Sequence, residues 1–495
     1  MIVHHTRSSW QLSELLSEWA LIESCDDIFV DGISEYSRDT QKGDLFLAHK
    51  DNQYVEDAMQ RGAVAVLCDD QIKSSIDGLG LSIPVFAIDN LADHSYQIIE
   101  RFYQQQQNPL QTVAITGTDG KTSVAHILVQ ALDAIGGRNA LIGTLGCGYI
   151  DALVASDHTT PSTARIAREC QQLQEDACQI VAIEASSHGI QQGRLKNTLI
   201  HTAVLTNITR DHLDYHKTLE DYIQAKAQLF FAYQPENGVL NIDDDIGKQW
   251  AQELSSKIKI FTYSASDSNA DISLKKAIYH ARGMDIDVNI QGHDYHLSIS
   301  LYGSFNVLNI LAVIAILKSL GKTDVQIIQA LELVKAVPGR MQYINNEKMR
   351  SVFVDYAHTP AALQAAINAV REHCDGRLIC VFGCGGNRDQ GKRPQMGEVA
   401  SRYADEIVIT SDNPRYEKPQ DIIEAIADGC VSSSHISKIV ARDQAISYAL
   451  ESSQAHDAIL IAGKGHEKFQ SIGDEEIAFD DVHVAQKALQ EVAYG

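Results

Sequence analysis

The chain has 495 residues, with 41 Lys and Arg against 65 Asp and Glu, so its formal net charge is −24. A chain of this length is too long for a single hydrophobic core, so we expect about three domains of ordinary size. The acidic balance repels nucleic acid and anionic membranes, so neither is expected as a partner. Any anionic ligand must then be held by local basic residues or by metal.

The cysteines indicate a reducing compartment. Nine of them are scattered without a CxxC pair, and no second pair or histidine is spaced for zinc beside Cys380 and Cys384. The N-terminus has no basic segment followed by an apolar core, and no run reaches the roughly 18 apolar residues of a membrane span. We therefore expect a cytoplasmic protein with reduced thiols, not inserted in a membrane, and a monomer.

The first region, residues 1–108, has the pattern of a small α/β unit. Apolar runs at 44–48, 63–67 and 84–88 predict short strands separated by helices. Ser37 lies just before the first of these strands. The Ser37 hydroxyl and the Arg38 guanidinium could hold a diphosphate, or Arg38 could simply face solvent, and both interpretations stay open. The glutamine-rich segment 104–107 indicates a linker.

The second region opens with an apolar run that breaks into a glycine loop, followed by a predicted helix over 124–134. The loop residues are Gly117, Thr118, Asp119, Gly120, Lys121, Thr122 and Ser123. Such a turn presents backbone N–H groups, an ammonium and a hydroxyl to one point, which suits a nucleoside triphosphate with Mg²⁺. Ile115 replaces the first glycine of the strict P-loop pattern, so the loop is a shorter variant. An ordinary turn with a surface lysine is the alternative.

Strand, loop and helix then repeat to about residue 338, which predicts a mostly parallel sheet covered on both faces. Strands at 180–183 and 203–205 end in polar clusters, which a parallel sheet brings to the edge that carries the loop. Glu184 and His212 are therefore candidate Mg²⁺ ligands beside Thr122 or Ser123, because hard cations prefer oxygen ligands. Lys226 lies in an apolar helical segment, where a lysine is ordinarily a surface residue with its ammonium in water.

The third region, residues 338–495, has a second series of strands. They are predicted at 352–355, 379–382, 407–411 and 458–461, and arginine, histidine and acidic residues recur where they end. Turn chemistry alone does not require those residues, so they indicate a second binding edge. Arg340, beside the Pro-Gly pair that opens the region, either reaches a phosphate or caps a helix.

Together these strand ends resemble the Mur ligase family of peptidoglycan synthesis. The resemblance covers nearly the whole chain and rests on the motifs GTDGKTS, EASSHG, TRDHLDYH, YGSFNVLN, VPGRM, VDYAHTP, GGNRDQGKR, SDNPR and GKGHE. It implies three α/β domains. These are a UDP-sugar-binding domain at 1–108, an ATP-binding domain with a P-loop-type, mostly parallel sheet at 109–337, and an amino-acid-binding domain with a Rossmann-like sheet at 338–495.

The resemblance also implies roles for individual residues. ATP is expected on residues 117–123 with Asn306 and Arg340, and Lys121, Lys226 and His212 are the expected catalytic residues. Mg²⁺ is expected on Thr122, Glu184, His212 and Lys226, the last as a carbamate that replaces the cation by an anionic oxygen ligand. The UDP-muramoyl dipeptide is expected on Ser37, His158, Thr159, Thr160, Ser186, Gln192 and Arg194. The amino acid is expected on Arg388, Asp412, Asn413, Pro414, Arg415, Gly463 and Glu467.

The implied reaction is amide formation driven by ATP. The D-glutamyl carboxylate of UDP-N-acetylmuramoyl-L-alanyl-D-glutamate takes the γ-phosphate, and an amine of meso-diaminopimelate attacks the acyl phosphate. ADP and phosphate are released. Arg415 is expected to select diaminopimelate over lysine, because its guanidinium fork fits the additional carboxylate.

The sequence departs from the family pattern in places. Asp119 replaces the usual asparagine, His158 stands where some relatives have asparagine, and the segment 48–54 lacks a glycine-containing turn. Two rival functions remain. A folylpolyglutamate synthetase would share the architecture but not the 411–415 loop or the first domain, and a nucleotide-dependent switch would need the glycine loop but not the second edge.

Overall fold

The structure, a computed structural model, describes residues 9–19, 28–49, 52–103, 110–344, 350–431 and 435–493. The chain divides into two compact units, residues 1–262 and 263–495. The predicted linker at 104–107 and the boundary at 108 lie outside the described residues. The division into three domains stays a prediction.

The first unit begins with short strands and helices and continues with longer ones. Its strands are β1 (Trp10–Gln11), β2 (Phe29–Val30), β3 (Gly32–Ser34), β4 (Asp44–Ala48), β5 (Ala65–Asp69), β6 (Val85–Ile88), β7 (Gln111–Thr116), β8 (Asn139–Gly143), β9 (Gly146–Gly148), β10 (Ile180–Glu184), β11 (Thr202–Leu205), β12 (Asn237–Asn241) and β13 (Lys259–Ser264), which runs across the division. Its helices are α1 (Leu12–Leu15), α2 (Val55–Gln60), α3 (Asp70–Asp77), α4 (Leu91–Tyr103), α5 (Lys121–Ile135), α6 (Thr163–Glu175), α7 (Ser187–Gln191), α8 (Leu213–His216), α9 (Leu219–Phe231) and α10 (Asp245–Leu254).

Two sheets organise the first unit. Strands β3, β4, β5 and β6 form a parallel sheet in chain order. The larger sheet has the order β12, β11, β7, β10, β8, β9 within this unit, and its pairs are parallel except β8 with β9. Strand β7 lies between β10 and β11, with Ile115 opposite Glu184 and Thr116 opposite Leu205. The predicted convergence of three strand ends is therefore confirmed.

The second unit has an antiparallel part followed by a parallel sheet. Its strands are β14 (Ile272–His280), β15 (Gly283–Ile290), β16 (His293–Ile299), β17 (Gln342–Ile344), β18 (Ser351–Asp355), β19 (Leu378–Phe382), β20 (Glu406–Ile409), β21 (His435–Lys438), β22 (Ala458–Ala462), β23 (Phe469–Ile472) and β24 (Glu475–Ala478). Its helices are α11 (Phe305–Ser319), α12 (Asp324–Leu331), α13 (Pro360–Arg371), α14 (Lys392–Tyr403), α15 (Pro419–Ala427), α16 (Arg442–Ser452) and α17 (Asp481–Ala493).

The parallel sheet of the second unit has the order β17, β18, β22, β19, β20, β21, and β17 is its one antiparallel strand among the described residues. Asp355 lies opposite Ala462, and Phe382 lies opposite Ile409, so these strands end at one edge. The predicted second edge is confirmed. The antiparallel meander β14–β16 and the hairpin β23–β24 are additions that the strand, loop and helix pattern did not predict.

A buried ion pair ties α16 and α17 to this edge. Arg442 and Asp481 have fully buried side chains and form a two-pronged pair with N–O distances of 2.7 Å. The same guanidinium donates to the carbonyl oxygens of Ala462, the last residue of β22, at 3.0 Å and of Ser411, just beyond β20, at 3.4 Å. The pair therefore supports the two loops that follow those strands.

Within the described ranges, no helix combines the length and the apolar composition needed to cross a bilayer. The cysteines of these ranges are all unpaired, as predicted.

Candidate functional site

The glycine loop between β7 and α5 is held in one shape by the chain after β11. Gly117 and Gly120 have φ of +151° and +85°, and a Cβ on Gly117 would lie 1.8 Å from the Thr206 hydroxyl. That hydroxyl donates to the carbonyl of Asp119 at 2.6 Å, and the Asp119 N–H donates to the Asn207 side chain at 2.9 Å. Glycine is therefore required at 117 by space as well as by backbone conformation.

Two lysines meet at this loop. Lys121 Nζ donates to the carbonyls of Gly117 and Thr118 at 2.9 Å, and Lys226 Nζ donates to the Gly117 carbonyl at 2.8 Å. Lys226 is 1 % exposed, so its surface position expected from composition was wrong. Burial, and secondarily the charge of Lys121, lowers the pKa of Lys226 well below its usual range. The site thus holds an amine that loses its proton more easily than a surface lysine.

Glu184, at the end of β10, contacts the start of α5. Its fully buried carboxylate accepts from the Thr122 hydroxyl at 2.7 Å and from the Thr144 N–H at 2.8 Å. A Cβ on Gly143, at the end of the neighbouring strand β8, would lie 2.2 Å from the Glu184 carboxylate, so there is no room for a side chain at position 143. The structure therefore brings together two oxygen-bearing side chains, of Thr122 and Glu184, at the end of the glycine loop.

His212 belongs to an aromatic cluster. It is exposed, has φ of +53° at the start of α8, and lies 3.4 Å from the carboxylate of Asp211. Its ring centroid is 5.0 Å from that of His188 and 6.3 Å from that of Tyr222. Among the described residues no group of three or more His, Cys, Asp or Glu is arranged to hold a metal. Of the four predicted Mg²⁺ ligands, Thr122 and Glu184 are in direct contact, and no hydrogen bond or ring contact of His212 in the described part of the chain reaches them.

A polar patch lies beside Glu184. The Thr160 hydroxyl donates to the Glu184 carbonyl at 2.6 Å and lies 2.9 Å from the Ser186 hydroxyl. Arg194 donates to the carbonyl of Thr160 at 2.6 Å and to the side chain of Gln192 at 3.0 Å. Four of the residues predicted for the UDP-muramoyl dipeptide are thus joined in one network.

Further contacts extend this patch. Thr159 accepts a hydrogen bond from the hydroxyl of Thr144 at 3.2 Å. The Tyr36 ring lies 5.2 Å from the His158 ring, and its hydroxyl accepts from Arg194 at 3.2 Å. Burial, and then the charge of Arg194, lowers the pKa of His158. Tyr36 was not predicted from the sequence, because an exposed tyrosine has no local signal.

Ser37 forms a hydrogen bond outside this network. Its side chain is 5 % exposed and hydrogen-bonds Asp57, which lowers the pKa of that carboxyl. The neighbouring Arg38 is 75 % exposed and pairs with Asp157 at 3.1 Å. The guanidinium of this segment therefore faces solvent, and its hydroxyl is bonded within the protein.

The second unit has a cavity of about 410 Å³ at the edge of its parallel sheet. Its lining residues come from the loops after the strands and from the start of α14: Tyr356, His358, Gly383, Cys384, Gly385, Arg388, Asp389, Lys392, Asp412, Asn413, Arg415, Gly463 and Glu467. Six of the seven residues predicted for the amino acid are among them. The seventh, Pro414, is buried next to two of them.

Arg415 is held by the hairpin β23–β24. Its φ is +50°, its N–H donates to the Ser471 carbonyl at 3.0 Å, and its carbonyl accepts from Gly473 at 2.8 Å. Its guanidinium donates to the carbonyl of Gly386 at 2.9 Å. A Cβ on Gly386 would lie 1.9 Å from the carbonyl oxygen of Pro414, so glycine is needed where the two loops cross.

Arg340 and Asn306 belong to the second unit. The guanidinium of Arg340 lies 4.8 Å from the Tyr356 ring, and its buried Nε has no hydrogen-bond partner in the described part of the chain. The Tyr356 ring is also 5.1 Å from that of His466, whose pKa burial lowers to about 4. Asn306 is buried and donates to the Tyr302 carbonyl at 2.7 Å at the start of α11.

Two profiles of one protein family match successive parts of this chain. The Mur ligase middle domain profile matches residues 115–317, and the profile of the Mur ligase glutamate ligase domain matches residues 339–465. A UDP-N-acetylmuramoyl-L-alanyl-D-glutamate--2,6-diaminopimelate ligase of Coxiella burnetii is 38% identical over 473 residues, covering 94% of this chain and 96% of that protein. The chain belongs to the Mur ligase family.

Other relatives agree. A ligase of the same name from Pseudomonas syringae pv. tomato is 39% identical to this Mur ligase over 462 residues, 92% of this chain and 93% of that protein. A solved structure with that ligase name has a TM-score of 0.67 and 32% identity, and it covers 98% of this chain and 100% of its own. The α/β fold class is thereby confirmed.

Proposed function

We propose that the chain is an ATP-dependent amide ligase that adds meso-diaminopimelate to UDP-N-acetylmuramoyl-L-alanyl-D-glutamate in peptidoglycan synthesis. The observation that carries the proposal is the charge of the cavity in the second unit. Its lining presents three cations and three carboxylates, namely Arg388, Lys392, Arg415, Asp389, Asp412 and Glu467. Diaminopimelate has two carboxylates and two amino groups, so it matches a cavity of mixed sign better than lysine does. Relatives that cover 92% and 94% of the chain bear the name of this reaction.

The loop of the first unit would bind ATP. Residues 117–123 present N–H groups at the start of α5, and Lys121 would follow the charge of the γ-phosphoryl group as it moves. Thr122 and Glu184 fit Mg²⁺, which commonly takes one or two carboxylates from the protein and its remaining ligands from phosphate and water. Bound there, the ion would offset charge on the transferring phosphoryl group. Lys226 as a carbamate, and His212, remain proposed ligands.

The polar patch beside Glu184 would hold the UDP-muramoyl dipeptide. Thr160, Ser186, Gln192 and Arg194 form one network there, and Tyr36 and His158 add an aromatic pair. The functional division into residues 1–108, 109–337 and 338–495 is part of this proposal.

The proposed reaction has two steps. A carboxylate oxygen of the D-glutamyl group attacks the γ-phosphorus, and ADP leaves. The amine nitrogen of diaminopimelate then attacks the acyl carbon, phosphate leaves, and the nitrogen loses a proton. Lys121 stabilises the first transfer, and the cations of the second cavity orient the carboxylates of the amino acid.

Phosphate release tests this function against its rivals. With ATP present, release should require both the UDP-muramoyl dipeptide and diaminopimelate, and the product mass should equal that of the amide. Phosphate release when both the UDP-muramoyl dipeptide and diaminopimelate are absent would indicate a nucleotide-dependent switch. Product formed from a folate and glutamate would indicate a folylpolyglutamate synthetase.

A further inference from the structure

Lys464 is a completely buried lysine next to the amino-acid cavity. It follows Gly463 at the end of β22, and its side chain is 0 % exposed. A lysine is almost never fully buried unless it is paired, because removing the ammonium from water is costly. The partners of Lys464 therefore indicate what the burial achieves.

The ammonium of Lys464 contacts two groups of the cavity wall from behind. Nζ donates to Asn413 Oδ1 at 3.0 Å and to Glu467 Oε2 at 2.9 Å. Asn413 and Glu467 line the cavity, whereas Lys464 does not. The lysine thus reaches the cavity only through these two side chains.

The contact sets the orientation of the Asn413 amide. Its oxygen accepts from Lys464 and from the Ser471 N–H at 3.0 Å. The reversed amide would place an NH₂ group against the ammonium, so Nδ2 must be the donor to Glu467, at 2.9 Å.

The same contacts occupy one oxygen of Glu467. Oε2 accepts from both Lys464 and Asn413, while Oε1 has no hydrogen-bond partner among the described residues. The side chain is 23 % exposed and lines the cavity. Oε1 is therefore an acceptor that a ligand's ammonium can reach.

We propose that Lys464 is a positioning residue for the amino-acid site, holding Asn413 and Glu467 so that Glu467 Oε1 receives an ammonium group of diaminopimelate. This inference rests on the proposed function. Diaminopimelate contacts Asn413 and Glu467, and Lys464 acts through them.

The test is Lys464→Met in the full-length protein, with Lys468→Met as the matched control. Lys468 lies in the same loop, but its side chain is 66 % exposed. We expect KM for diaminopimelate to rise roughly 10- to 100-fold in Lys464→Met, the factor expected when a hydrogen bond to a charged group is lost. KM for ATP and for the UDP-muramoyl dipeptide should stay within about twofold, and the control should match wild type.

Two further variants separate positioning from stability. Lys464→Gln keeps a donating NH₂ group but loses the positive charge, so its KM for diaminopimelate should lie between those of wild type and Lys464→Met. In a Glu467→Gln background, Lys464→Met should raise KM by less than it does alone, because the two residues act in one network. If Lys464→Met does not fold, the intermediate KM of Lys464→Gln decides.

An unchanged KM for diaminopimelate in both Lys464 variants, or an equal rise of all three KM values, would overturn the inference. Wild-type protein that turns over no amino acid would instead contradict the proposed function.

Discussion

At the scale of single residues, Lys121 and Lys226 donate to the same carbonyl oxygen of the glycine loop. Two ammonium groups so close repel each other, and Lys226 is also removed from water. Both effects favour its neutral amine. A neutral amine can attack carbon dioxide, forming an N–C bond and releasing a proton, which yields an anionic carbamate.

We expect Lys226 to carry this carbamate. Wild-type protein incubated with ¹³C-bicarbonate, ATP and Mg²⁺ should give a carbamate carbon signal in the ¹³C NMR spectrum that is missing from Lys226→Met. Lys248→Met, which removes an exposed lysine, should keep the signal. Identical spectra for wild type and Lys226→Met would refute the modification.

Arg415→Ala should remove most of the preference for diaminopimelate over L-lysine, mainly through a higher KM for diaminopimelate. We expect the guanidinium fork to pair with a carboxylate that lysine lacks. Steady-state kinetics with both amino acids measure this, with Arg402→Ala as a control because Arg402 is 60 % exposed and paired within α14. An Arg415→Ala enzyme that discriminates as wild type does would place the selective group elsewhere.

Glu184 was predicted because it directly follows an apolar strand, whereas the roles of Arg415 and Glu467 were implied by the family motifs SDNPR and GKGHE. Lys464 follows Gly463, which was predicted to bind the amino acid. No role was predicted for Lys464 itself, because the local sequence does not show that its side chain is buried. Arg442 has no local signal either, because its partner Asp481 is 39 positions away. Residues that act through distant partners require the folded contacts.

At the scale of elements, a strand with a continuous apolar run was easier to predict than a strand exposed to solvent. Strand β19 is buried throughout and was predicted from its apolar run, whereas β24 is exposed along its whole length. Hairpin β23–β24 nevertheless holds Arg415 by two main-chain hydrogen bonds. Its role comes from backbone groups, which side-chain pattern does not reveal.

The pair between α16 and α17 should contribute strongly to stability. Arg442→Met leaves a buried, unpaired Asp481 carboxylate and should cost about 3 to 5 kcal/mol in the free energy of unfolding. Urea denaturation measures this. Replacing both residues, Arg442→Met with Asp481→Leu, should cost less than the single change, and an equal or larger loss would contradict the account.

Helix α5 should make stability depend on pH. His126 is 4 % exposed, and burial lowers its pKa to about 4 from a usual value of about 6.5. Between these values the unfolded chain binds the proton and the folded chain does not, so stability falls as the pH decreases from 6.5 to 4, by up to about 3 kcal/mol. The Tm of His126→Leu should therefore fall less than that of wild type over this range. An equal fall in Tm for wild type and His126→Leu over this pH range would contradict the prediction.

At the scale of the whole molecule, a chain with a formal charge of −24 is proposed to bind anionic substrates. Each unit meets this requirement locally, with Lys121 at the glycine loop of the first and three cations around the cavity of the second. Because these cations lie at strand ends, the net charge of the surface does not decide what is bound.

The most direct test of the central claim is kcat/KM of the wild-type enzyme for meso-diaminopimelate and for L-lysine, with ATP and the UDP-muramoyl dipeptide saturating. A site built around a hydrogen-bonded carboxylate rejects an analogue that lacks it by about 10⁴ to 10⁵, and we predict a preference of that order for diaminopimelate. Comparable values for the two amino acids would contradict the account.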